Sequence, residues 1–227
     1  MLGRTVVARK GCRDGPRVGY RRSMDKIDFR KTLKGLYAPA NRDFAEVEVP
    51  TMRFVKVDGA GDPNVSPAYK AAVEWLYSTS YGMKFAAKAQ LGVDYVVPPL
   101  EGLWEADDPA VFVTRDKAAW RWTMMIMAPE FITDALFGAA VEKARRKLGD
   151  LPSSLRLEAY AEGRSLQALH IGSYDDEGPL LARLHDVEMP GRGLTFNGPH
   201  HEIYLGDPRR TEASKLKTVL RQPVRPA

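Results

Sequence analysis

Residues 55–76 read VKVDGAGDPNVSPAYKAAVEWL, and residues 168–187 read ALHIGSYDDEGPLLARLHDV. Each stretch passes from a strand-like run through a Gly/Asp/Pro turn into helical spacing. In the first, Ser66-Pro67 is a helix start. The serine can accept from first-turn amides, and proline at the first helical position loses no bond. Tyr69, Ala72, Val73 and Leu76 then recur on one helical face. In the second, Asp175, Asp176 and Glu177 precede Pro179, placing acids at the positive end of a helix. Apolar strands follow both: AWRWTMMIM at 119–127 and HHEIYL at 200–205. The expected class is α+β. The pattern implies a tandem pair of strand-helix-strand-strand modules, about 46–128 and 155–206, with pseudo-twofold symmetry. Concave antiparallel sheets would surround a central ligand cleft, with helices behind.

Working outward, residues 24–45 read as an amphipathic lead-in with a turn at 38–41. Residues 51–58 read as a strand, 80–90 as a second short helix, and 93–97 as a short strand stopped by Pro98-Pro99. Leu100 to Trp104 leads into a loop over 105–110. Residues 129–148 form a helix stopped by Gly149. LRLEAYAEG at 155–163 and SLQALHIG at 165–172 are strands, and HHEIYL is expected to be the last one. The segment from 206 onward reads as a polar surface tail with a short helix over 212–220.

The 227 residues carry 34 Lys+Arg and 29 Asp+Glu, a net charge of +5, and the pI is about 9.3. That basicity invites a nucleic-acid reading, but its location argues otherwise. Residues 1–23 hold seven basic residues and one acid, leaving 27 basic and 28 acidic residues in 24–227. A basic arm and a targeting peptide are two readings of residues 1–23. The reading adopted is a disordered basic extension upstream of a natural start at Met24, where MDKIDFRKTLKGLY is a normal cytoplasmic opening. No direct nucleic-acid binding is expected of the rest. No run of ~20 apolar residues suggests a membrane span. Cys12, the single cysteine, excludes an internal disulfide framework.

The period of two sorts residues 200–205: Ile203 and Leu205 share one face, and His200, Glu202 and Tyr204 the other. With helices on one side only, Glu202 would point into the opposite hollow. The pattern alone also fits a solvent-facing strand glutamate. A carboxylate in an aromatic hollow would have a raised pKa and could bind a cation or activate water. Trp120, Trp122, Met124 and Ile126 share a face of what reads as the matching strand, so Trp122 would fall near the pseudo-dyad partner position of Glu202. A Trp/Met stripe suits either core or the wall of an apolar pocket. Trp104 is a core plug or a pocket lip. Tyr174 is a turn residue or a phenol donor at the pocket edge. His170 shares a face with Leu166 and Ala168, as a satisfied core histidine would. The candidate catalytic pair is Glu202 and Tyr174. The candidate ligand-binding residues are Trp104, Trp122, Tyr204, His170 and Met124. His200-His201 point to opposite faces, so no metal is expected, and no phosphate loop or nucleophile elbow implies a cofactor.

The stretches LQALHIGSYDDEGP, GPHHEIYLGDPRRTEASKLKTVLRQPV, WRWTMMIMAPEFI and PPLEGLW resemble the stand-alone branch of the GyrI-like small-molecule-binding proteins. The resemblance spans nearly all of 24–227. It implies tandem strand-helix-strand-strand modules and a cleft for flat, often cationic aromatic compounds against a central carboxylate, matched by Glu202. It further implies relatedness to cyclopropanoid cyclopropyl hydrolases, which disarm DNA-alkylating compounds by adding water across a strained ring. In that branch GLW is commonly followed by a second Trp; here Glu105 follows. The expected partner is a hydrophobic aromatic small molecule, with no protein partner identified. The competing reading is a non-catalytic binder or sensor.

Overall fold

The computed structural model describes residues 26–39, 43–108, 111 and 114–227. The reading of residues 1–23 lies outside them. The strands are β1 (Ala45–Val49), β2 (Met52–Ala60), β3 (Leu100–Glu105), β4 (Arg121–Ala128), β5 (Arg156–Tyr160), β6 (Gly163–Ile171), β7 (Leu194–Phe196), β8 (His200–Tyr204) and β9 (Lys217–Pro226). They form one antiparallel sheet in the order β1-β6-β9-β8-β3-β4-β2-β5, with β7 on β9. The sheet is continuous across the β3–β8 pair, so a single sheet replaces the expected pair.

Several local expectations change: the helix expected over 129–148 begins at Asp134, and that expected over 212–220 is one turn, Ala213–Lys215. Residues 67–90 are one helix, Pro67–Gln90, capped by Ser66, whose hydroxyl accepts from the Tyr69 amide. Within it, Gly82 lets helix Asp134–Leu148 approach: a Cβ there would stand 3.0 Å from that of Ala140. Residues 93–97 form only a bridge, Tyr95 to Ile27, whereas Leu100–Glu105 is a strand. HHEIYL is not the last strand, because the supposed polar tail contains β9, which lies between β6 and β8.

Both faces of the sheet are covered, contrary to the expectation of helices on one side. On the front, helices Pro67–Gln90 and Asp134–Leu148 pack over β2, β4 and β3 through Leu76, Met83, Met124, Ile126 and Leu136. Helix Gly178–Arg183, the π turn Leu184–Glu188 and the turn Met189–Gly191 cover β6 and β9 through Leu184, Met189 and Leu166. Burying each of these large side chains contributes about 1.5–3 kcal/mol. On the back, the short helices Phe29–Thr32 and Lys34–Tyr37 cover Phe54, Met125, Ile203 and Val219.

Between these short helices and the sheet lies a buried polar network. His201 sits 2.8 Å from Glu162 through Nδ1 and 3.0 Å from Glu101 through Nε2. Tyr37 donates to Glu101 (2.8 Å). Arg221 donates to Glu162 (3.0 Å), Gln167 (3.0 Å) and the Leu36 carbonyl (2.7 Å). Burial opposes the charge of His201, but the two glutamates outweigh it and raise the imidazole to about 9. Burial likewise opposes ionisation of Glu162, yet His201 and Arg221 hold it at about 2. Charges this deep persist because every one is paired and hydrogen-bonded.

Candidate functional site

The front layer parts over β3 and β8 and leaves a cleft of about 1780 Å³. Its floor carries Trp104 from β3 and His200, Glu202 and Tyr204 from β8. Tyr69, Val73 and Tyr77 of the long helix form one wall; Glu177, Leu181 and His185 form the other. Register explains the floor. Glu202 pairs with Gly102, and His200 with Trp104. The glycine leaves its face of β3 open beside the carboxylate: a Cβ there would lie 3.1 Å from Trp104 Nε1 and 3.2 Å from Tyr204 Oη.

Trp104 Nε1 donates to Tyr204 Oη (3.1 Å), and Tyr204 donates to Glu202 Oε2 (2.7 Å). His200 Nε2 lies 3.7 Å from Glu202 Oε1. Aromatic rings enclose this chain of bonds. Tyr69 stacks on Trp104 at 6.4 Å, Trp120 meets Trp104 edge-on at 5.6 Å, and Tyr174 meets Tyr204 edge-on at 5.5 Å. Burial raises the Glu202 carboxyl to about 7; the Tyr204 hydroxyl and charged His201 beneath it temper the rise. Burial, then the nearness of Glu202, raises Glu177 to about 9. Burial and mutual repulsion thus raise both carboxyls above the usual carboxylate range, and they titrate as a pair in two steps. Burial, and then Glu177 and Glu202, push Tyr174 up to about 12. Burial and Glu202 raise Tyr204 well above its usual value, so both phenols stay protonated. Among the described residues, no group of three or more His, Cys, Asp or Glu side chains is arranged to hold a metal ion.

The structure brings Glu202, Tyr204, Trp104 and Tyr174 together. Tyr174 stands at the mouth, 37% exposed, and the hydrogen bond to Glu202 comes from Tyr204. The other three candidates lie in the core instead of the cleft wall. Trp122 is buried against Tyr69 (5.2 Å), with its indole over Gly59. Met124 is fully buried beside Gly102. His170 Nε2 is tied to the Ser173 carbonyl at 2.9 Å. Trp122 is also not opposite Glu202: it lies on β4, one strand beyond β3. Sequence reasoning missed Glu177 and Tyr69 as cleft residues. Glu177 reads as a helix-start acid, and only the turn Tyr174–Asp176 aims it inward. Tyr69 reads as a core-facing helical residue. At the entrance Arg115 donates to the Asp175 side chain and, at 3.1 Å, to the Asp175 carbonyl. Glu105 also lines this rim.

A family model described as the GyrI-like small molecule binding domain matches residues 42–225. An uncharacterized conserved protein from Listeria innocua is 40% identical over 88% of this chain and 100% of its own, with a TM-score of 0.80. A hydrolase from Listeria innocua is 38% identical with the same coverage and a TM-score of 0.75. The EcmrR C-terminal domain, 11% identical over 82% of this chain and 98% of its own, has a TM-score of 0.51 and is similar in fold alone. No curated protein matches the chain. Among the described residues, no helix is long and apolar enough to cross a membrane.

Proposed function

The chain belongs to the GyrI-like small-molecule-binding domain family, and from that premise we propose that it hydrolyses a planar aromatic electrophile. The substrate class is a cyclopropane fused to a conjugated carbonyl, as in cyclopropanoid DNA-alkylating compounds, and the role is detoxification. The observation that carries the reading is Glu202, which lies at the floor of an aromatic cleft with Oε2 bonded to Tyr204. The likeness to a Listeria innocua hydrolase supports an enzyme.

The chemistry follows from the two carboxyls. Glu202, ionised above about pH 7, takes a proton from water through Oε1. The water oxygen attacks the ring CH2. The cyclopropane C–C bond breaks, and its electron pair flows to the conjugated carbonyl oxygen, making a phenolate. Glu177, protonated below about pH 9, delivers a proton to that oxygen. Solvent then restores both carboxyls. Tyr204 orients Glu202, and the rings of Tyr69, Trp104 and Trp120 hold the planar substrate by stacking. Tyr174 narrows the mouth.

A second reading is a non-catalytic binder of flat cations, favoured by the same carboxylate beneath stacked rings. Turnover separates the two. The full chain, incubated with a cyclopropanoid alkylator, is expected to release the hydrated, ring-opened phenol catalytically. Glu202→Gln is expected to lose turnover while keeping most binding. Stoichiometric binding without product would leave only the binder. A fully active Glu202→Gln would remove Glu202 as the base.

A further inference from the structure

The floor and walls of the cleft are not chemically uniform. Besides Glu202, two imidazoles line the cavity. His200 follows from register: it shares the Glu202 face of β8 and lies across from Trp104. His185 sits in the π turn Leu184–Glu188. Such a turn breaks the regular helical ladder and re-aims side chains, and it recurs at functional sites. The two rings meet edge-on at 6.4 Å, and Phe196 packs against His185 at 5.0 Å.

Both nitrogens of His200 and Nε2 of His185 are shielded from solvent yet have no hydrogen-bond partner. Buried polar atoms are nearly always partnered, so these nitrogens take their partners from the cleft, water when it is empty and a polar ligand group when it is filled. Gln222 also lines this end. Its amide nitrogen is committed to the Gly198 and Pro223 carbonyls at 3.0 and 3.2 Å. Its carbonyl oxygen faces both imidazoles and favours a proton on each, so it orients the rings.

We propose that the His185–His200–Gln222 end of the cleft is a separate subsite that hydrogen-bonds a neutral secondary amide carried by an extended planar ligand. The proposal rests on the aromatic-cleft reading given above. An uncharged imidazole offers one N–H and one bare nitrogen, so the pair presents both a donor and acceptors. A secondary amide presents the complementary N–H and C=O. An anion is disfavoured by Glu202, 3.7 Å from His200, and by Asp186 on the same rim. Burial keeps both imidazoles uncharged, lowering His200 to about 3. A cationic group would be drawn to Glu202 itself. The cavity, about 1780 Å³, exceeds the ~300–1,000 Å³ of ordinary ligand sites, so a second group can be accommodated.

The probes are phenanthridin-6(5H)-one, a rigid planar secondary amide, and benzo[c]chromen-6-one, the lactone of the same planar shape that lacks the amide N–H. Calorimetric titration of the full chain is expected to show the amide binding about tenfold tighter, about 1.4 kcal/mol. His200→Phe keeps the ring shape without its nitrogens and is expected to bring the ratio close to one through weaker amide binding. His185→Phe is expected to lower it partway. Equal binding of the two probes by wild type would overturn the subsite and leave the aromatic cleft standing. So would an unchanged ratio in His200→Phe. If His200→Phe does not fold, the wild-type ratio and His185→Phe decide. Binding of neither probe would overturn the aromatic cleft and the subsite with it.

Discussion

Replacing Arg221 with Met is expected to destabilise the fold by about 3–5 kcal/mol at pH 7, the range for removing one partner of a buried ion pair. Arg221 is 1% exposed. Its guanidinium holds Glu162 at 3.0 Å, Gln167 at 3.0 Å and the Leu36 carbonyl at 2.7 Å. Methionine fills much of the aliphatic stem but leaves the Glu162 carboxylate with His201 alone. It also orphans an amide oxygen and a helix carbonyl. For a domain of this size the loss corresponds to a Tm drop of about 10 °C. Urea unfolding with matched thermal melts measures it. Glu162 titrates near 4.5 when unfolded but at about 2 when folded. Its contribution is therefore present above 4.5 and is lost as the pH falls through 2. The gap between wild type and Arg221→Met should accordingly narrow below pH 4.5. The double variant with Glu162→Gln should recover at least about 1 kcal/mol relative to the sum of the single changes. A loss below about 1 kcal/mol, or a gap that does not change with pH, would refute the account of the network.

The proposed turnover should follow a bell in pH, rising as Glu202 ionises near 7 and falling as Glu177 ionises near 9. Tyr204→Phe removes the hydroxyl that favours the Glu202 carboxylate, so the rising limb should move up by about one pH unit; an unmoved limb would detach Tyr204 from that role. Glu177 has a folded pKa raised from 4.5 to about 9, so stability is full below 4.5 and is lost as the pH rises through 9. Glu177→Gln should therefore match wild type near pH 4 and exceed it by roughly 2–4 kcal/mol at pH 8, read by denaturant unfolding at both values. Gly102→Ala would place a Cβ 3.1 Å from Met124 Sδ and Trp104 Nε1. It should cost about 1–3 kcal/mol and weaken aromatic ligand binding, as seen by calorimetry.

Several elements were legible because their signals are local. Ser66-Pro67 announced a helix because a cap and a missing N–H act within one turn. Residues 119–127 announced a strand because an apolar run ended by Pro129 fits little else; the observed strand is Arg121–Ala128. β9 was illegible for the opposite reason. A central strand normally reads as apolar, but here Thr218, Arg221 and Gln222 interrupt the pattern. Their polarity is tolerated only through distant partners such as Glu162, Gln167 and the Gly198 carbonyl.

The candidate site divides along the same line. Alternation along HHEIYL put Glu202 and Tyr204 on one face, because the strand period is a property of the backbone. It could not say what covered that face. Which aromatic residues reach the carboxylate depends on which strands become neighbours. Once β3, rather than β4, lies against β8, Trp104 faces the cleft and Trp122 and Met124 stay in the core. Glu177 reaches the cleft only through the turn that precedes its helix. The sequence by itself determined the α+β class, the Ser66 cap, the Gly149 stop and the face on which Glu202 lies, all consequences of short-range backbone geometry. The tertiary structure alone decided that helices cover both faces and part over β3 and β8, leaving one hollow where two carboxyls share a low-dielectric space. Burial and proximity raise proton affinity, and both exist only once distant segments have packed together.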